Sequence, residues 1–181
     1  MKRGAKMKTV RNRKGIHRLL LLGLFLTGSA ALVDHPHFGK TVTASLPGPV
    51  ELSVRYSTVP AQEMDTEGAP LGKFLNPRAP ILQLSETVSS GSTEIPSGSY
   101  TIGLIKKGSG DWTLALHPGR LRQKEVAVTP TIILLNTLSS RSSGRADHLV
   151  MDFNPGTGRF EGKVVLTLHW GTLFLAAEIG E

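Results

Sequence analysis

Asp34, His35 and His37, in the run Asp34-His35-Pro36-His37, are the side chains whose types and spacing could do chemistry most directly. A carboxylate and two imidazoles suit a divalent cation. His35 and His37 are therefore the candidate metal ligands of this chain. Pro36 sets the local backbone, but nothing nearby fixes further ligands or the hydrogen bonds that would orient them. The expectation is an exposed leader that holds no metal.

Three other groupings read as structure. His148 and Asp152 lie on one face of a strand-like stretch. Four strand residues span about 13 Å, so the two cannot hydrogen-bond each other, and a solvated face is expected. The stretch from Asp152 to Glu161 has oxygen-bearing side chains, as a calcium loop does. Its sixth position is Thr157 and its Glu falls at the tenth, where a calcium loop wants Gly and a Glu at the twelfth. Asn154-Pro155-Gly156-Thr157-Gly158 reads instead as a turn. His169 is expected to pair with Phe174 across a hairpin.

Signatures of catalysis and of cofactors are missing. No serine stands in a G-x-S-x-G elbow. Gly158 to Lys163 is one residue short of a phosphate loop, and Val164 replaces the Ser or Thr that would follow the lysine. The chain has no cysteine, which removes disulfides, thiolate metal sites, thiol nucleophiles and lipid attachment at a signal cysteine. No catalytic residue is assigned and no cofactor is expected. Paired carboxylates brought together by strands are beyond what sequence shows.

The N-terminus carries the clearest address. Residues 1–18 hold eight basic residues and no acid, and Leu19 to Val33 follow without a charge. A basic head, a short apolar run and small residues make an export signal. Gly28 and Ala30, or Ser29 and Ala31, suit cleavage after Ala30 or Ala31. A retained anchor at residues 19–33 is the alternative, although a membrane span needs about 20 residues. The signal also changes the charge. The chain is +7, but 13 of its 21 basic residues remain after the signal, against 14 acidic ones, a balance of −1. Nucleic acid is therefore not an expected partner. Contact with a membrane is expected only through the N-terminal segment, if it is uncleaved.

Residues 32–181 are expected to form a single domain, all-β, an antiparallel β-sandwich or a partly open barrel. Val50, Leu52, Val54 and Tyr56 alternate with polar residues, as do Leu82 and Leu84, then Tyr100, Ile102 and Leu104. Residues 80–88 are read as one strand. Trp112, Leu114 and Leu116 form another, after the turn at 107–111. Residues 131–135, apolar on both faces, are read as a central strand. Residues 121–128 are the one weak helical candidate. Residues 57–79 hold three prolines and no strand pattern, and are read as a long loop over the sandwich, anchored by Met64, Leu71, Phe74 and Leu75. At the C-terminus, Gly171-Thr172 suits a two-residue hairpin turn. Trp170 then faces Leu173, Leu168 faces Leu175, and Leu166 faces Ala177.

The stretch GSTEIPSGSYTIGLIKKGSGDWTLALHPG (91–119) resembles the exported bacterial "domain of unknown function 2911" family. That family has a strand, a turn of the form (L/I)PxG(T/S)Y, another strand and a turn ending in Trp. Ile95 to Tyr100 and Trp112 occupy those places. Residues 34–60 resemble the family's opening strands, and 160–179 its closing hairpin. Residues 73–87 lack the WRxGxNExT motif of many members, so no role carries over from it. The resemblance implies an exported sandwich and supplies no activity. The expected function is a non-catalytic, periplasmic or extracellular binding or envelope-associated module, with a small molecule, glycan or envelope protein as partner. The alternative is a hydrolase-like enzyme with its site under the 57–79 loop.

Overall fold

Alternating apolar residues organise two antiparallel layers in the computed structural model, which describes residues 37–63 and 66–180 but no side chain at 63 or 139–143. The first layer has eight strands. β1 (Gly39–Ser45) and β2 (Glu51–Ser57) form a hairpin in which Val42 faces Val54 and Ala44 faces Leu52. β3 (Lys73–Leu75) and β4 (Ile81–Leu84) follow. β4 lies between β2 and the start of a long strand, β7 (Gly98–Gly108). β3 pairs with β7 farther along, where Leu75 faces Leu104. β8 (Asp111–Pro118) pairs with β7 from Thr101 to Gly108. β9 (Glu125–Ala127) completes the β3 end, and β10 (Ile133–Leu134) pairs with β8.

A small ribbon, β5 (Val88–Ser90) and β6 (Thr93–Ile95), leads into the Pro-Gly turn. Ile95 is fully buried. The Tyr100 hydroxyl donates to the Pro96 carbonyl at 2.6 Å, which closes the turn. Burial pushes the Tyr100 phenol above its ordinary value.

The second layer is β11 (Thr137–Pro155) with β12 (Val164–Ile179). β12 is a single run of extended residues, yet it cannot be straight. Lys163 Nζ meets Glu178 Oε2 at 2.9 Å, whereas fifteen residues of straight strand would part them by about 50 Å. The His169 and Phe174 rings also meet edge to face, 5.7 Å apart. The chain therefore folds back at Gly171, whose φ of 61° is one that glycine adopts without steric cost. β11 accompanies both halves. Leu168 faces Met151 in one and Leu175 faces Ser139 in the other, and Ala146 pairs with Gly171 at the bend.

The expected hairpin face is buried except at Leu173, which is half-buried beside the bend. Leu166, Leu168, Trp170, Leu175, Ala177 and Ile179 join Leu52, Val54, Leu82, Leu104 and Leu114 in one apolar cluster between the layers. The described residues lie in one compact unit. None forms an α-helix, and none belongs to a helix long and apolar enough to cross a membrane.

Four sequence expectations need correction. Residues 131–135 are not a central strand. Only Ile133 and Leu134 pair, on β8 alone, and Leu134 is exposed. Residues 121–128 form no helix, and Glu125–Ala127 become strand β9, because β3 supplies a partner that local pattern does not reveal. Residues 80–88 split into β4 and the start of β5, since Ser89 leaves the first sheet to bond Gly180. Within 57–79, Phe74 and Leu75 do anchor the excursion, but they do so as strand β3, and Leu71 is exposed. Met64 lies outside the described residues.

Candidate functional site

A large hollow beside the 57–79 excursion, reaching the C-terminal hairpin at Trp170, is built by three segments. The first is the turn after β3. Asn76 is buried and ties this turn to the segment after β8. Its side-chain amide donates to the carbonyls of Leu121 at 2.9 Å and Gln123 at 3.0 Å. Its side-chain oxygen accepts from Ala79 N–H, and its own N–H donates to Lys124 O at 2.7 Å. Arg78 and Ala79 follow with φ of 58° and 50°, a conformation that side chains with a Cβ resist. Asn76 holds them there, its side-chain oxygen accepting from Ala79 N–H and its carbonyl from Arg78 N–H.

The second segment is Gly119–Lys124. Thr101, fully buried on β7, fixes it at two points. Its hydroxyl donates to Gly119 O and accepts from Leu121 N–H, both at 2.8 Å. Leu121 is buried, whereas Arg120 and Arg122 on either side of it are exposed, and all three border the hollow. The third segment is the hairpin bend. Trp170 is buried and its indole N–H is shared between the carbonyls of Val59 at 3.1 Å and Pro60 at 3.2 Å.

Together these segments enclose a cleft of about 470 Å³. Val59, Leu121 and Trp170 give it an apolar side, and Arg78, Arg120, Arg122 and Lys124 give it a cationic one. Among the described residues no acid, histidine, serine or threonine lines it. A smaller hollow of about 260 Å³ adjoins it across Asn76, Pro77, Lys124 and Trp170, and there Glu125 contributes one carboxylate. Such a lining can neutralise an anion and cover an apolar group. It offers no acid and base pair and no activated nucleophile.

A second polar cluster is structural. On the outer face of the C-terminal hairpin, Glu178 accepts from Asn136 Nδ2 at 2.6 Å and from Lys163 Nζ at 2.9 Å. The Lys163 hydrogen bond holds its carboxyl below the ordinary range, with Asn136 adding to it, against the upward push of burial. Its oxygens are already occupied.

The residues singled out from sequence lie elsewhere. His37 Nδ1 sits 3.3 Å from Thr58 O. His35, Ala30 and Ala31 lie outside the described residues. Among the described residues no three histidine, aspartate or glutamate side chains gather as a metal set. His148 and Asp152 are exposed on one face of β11, as expected. Asn154 and Pro155 are the last paired residues of β11, and the connection to β12 is 156–163, with a 3-10 turn at Gly158–Phe160 and Gly156 N–H donating to Lys163 O at 2.8 Å. The His117 ring packs near Phe74 and the His169 ring on Phe174. Each has one buried nitrogen without a partner among the described residues. The cleft residues Asn76, Thr101, Arg120 and Arg122 were not singled out from sequence. The run Arg120-Leu121-Arg122 after Pro118-Gly119 was the available signal, two arginines flanking one apolar residue just past the end of a strand.

Comparison with protein-family models, curated proteins and solved structures returns no match.

Proposed function

We propose that this chain is an exported, non-catalytic binding module whose ligand seat is the cleft between Asn76–Ala79, Arg120–Lys124 and Trp170. The observation that carries the reading is the lining, which is cationic and apolar and, among the described residues, holds no carboxylate, histidine, serine or threonine. Binding sites of this kind are concave, largely preformed, and carry a few placed polar groups. The hydrogen bonds of Asn76 and Thr101 supply that preformation. Export rests on the N-terminal charge asymmetry and the apolar run that follows it. The resemblance to the "domain of unknown function 2911" family belongs to the same proposal, resting on the Ile95–Tyr100 turn and Trp112.

The test uses Trp170 as reporter. Trp112→Phe leaves it as the sole tryptophan. Two chromogenic probes, 4-nitrophenyl phosphate and 4-nitrophenyl glucoside, report binding by quenching and turnover by release of nitrophenolate. Saturable quenching without release is the expected result. Release above the protein-free rate, lost on altering the cleft, would establish the hydrolase alternative instead.

A further inference from the structure

Resting on that reading, we infer that the cleft selects a phosphate-bearing ligand with an apolar portion: the phosphate held by Arg120 and Arg122, the apolar portion against Leu121, Val59 and Trp170. Four cations line this one hollow in a domain whose total charge after the signal is close to neutral. Among the described residues neither Arg120 nor Arg122 has a hydrogen-bond or ion-pair partner. Two guanidinium groups that border one hollow can each offer a fork of donors, a geometry that suits the oxygens of a phosphate.

Their backbone is held before any ligand arrives. Leu121 is bonded through its N–H to Thr101 and through its carbonyl to Asn76. The arginines therefore project from a fixed segment, and less ordering is needed on binding. The apolar side of the same hollow excludes water from one flank, which strengthens the charge interaction. A cleft with one such side suits a phosphomonoester of an apolar or aromatic group better than free inorganic phosphate. The phosphate could belong to a soluble ester or to a lipid headgroup.

The experiment compares the full chain with its Arg120→Gln/Arg122→Gln variant, so the basic N-terminus is common to both. In each, Trp112→Phe isolates the Trp170 signal. 4-Nitrophenyl phosphate is expected to bind at least about tenfold more tightly than 4-nitrophenyl glucoside, and to lose that advantage in the double variant. Its affinity should fall as sodium chloride is raised. Equal or tighter binding of the glucoside would overturn the phosphate assignment while leaving a binding module. Nitrophenolate release that depends on the two arginines would keep the assignment and overturn the non-catalytic reading. No quenching by either probe would overturn both. If Trp112→Phe does not fold, the thermal midpoint of the unaltered chain with the same probes serves as the readout. Variant-sensitive co-sedimentation with vesicles containing phosphatidic acid, a lipid phosphomonoester, absent with phosphatidylcholine alone, assigns the phosphate to a lipid headgroup. Probe binding without co-sedimentation assigns it to a soluble ester. Either supports the proposal.

Discussion

The side-chain amide of Asn76 donates to the Leu121 carbonyl at 2.9 Å, and this bond joins two walls of the cleft that lie 45 residues apart in the chain. The same side chain also bonds Gln123 and Ala79. Asn76→Ala strands buried carbonyls at a cost of about 1–3 kcal/mol each. Chemical denaturation should show a loss of about 2–4 kcal/mol on that basis. A variant as stable as the parent would show that the walls are held by something else.

Ala79 pays a conformational penalty at φ 50°. Ala79→Gly removes it, and should raise stability by about 1 kcal/mol despite the looser unfolded chain. Urea unfolding midpoints measure this directly. A decrease would mean that the Ala79 methyl contributes more through packing than its backbone loses.

Leu168 is fully buried between the layers. Leu168→Ala should cost about 2–5 kcal/mol. A cost below about 0.5 kcal/mol, typical of surface changes, would contradict the placement of that hairpin face.

Glu178 gives the fold a pH dependence of known sign. Its folded carboxyl titrates below the ordinary value. The stabilisation from its ionised form is therefore complete above the unfolded value of about 4.3, and is lost as pH falls through the lower folded value. Unfolding free energy measured from pH 6 down to pH 3 should fall more steeply in the parent than in Glu178→Gln. Identical slopes would remove Glu178 from the account.

Export predicts a processed chain. Mass spectrometry of protein from the periplasm or medium should find an N-terminus near Ala31 or Leu32. Full-length chain in the soluble cytoplasm would defeat this expectation.

Much of the sandwich was legible because strand burial is a local pattern. The buried set shifts from even positions through Trp170 to odd positions from Leu175, and that shift at Gly171 is what a two-residue turn produces. Elements whose partners are distant were harder to read. Glu125–Ala127 has charges and apolar residues at spacings that suit a weak helix, and becomes a strand only because Lys73–Leu75 lies beside it. Ile133 and Leu134 look central by composition, yet an edge position follows from β8 having a free side there. The cleft was the least legible part. Arg120 and Arg122 were visible as residues, but their convergence with Arg78 and Trp170 depends on sheet register and on the bonds of Thr101 and Asn76.

The indole of Trp170 bonds carbonyls 111 and 110 residues earlier. Contacts of such span form late, because the entropy of closing the intervening chain must be met first. A chain growing from its N-terminus has both cationic walls available well before the bend that completes the cleft. A nascent or C-terminally clipped chain that ends before Trp170 lacks one side of the cleft, so binding at the proposed seat would require the completed fold.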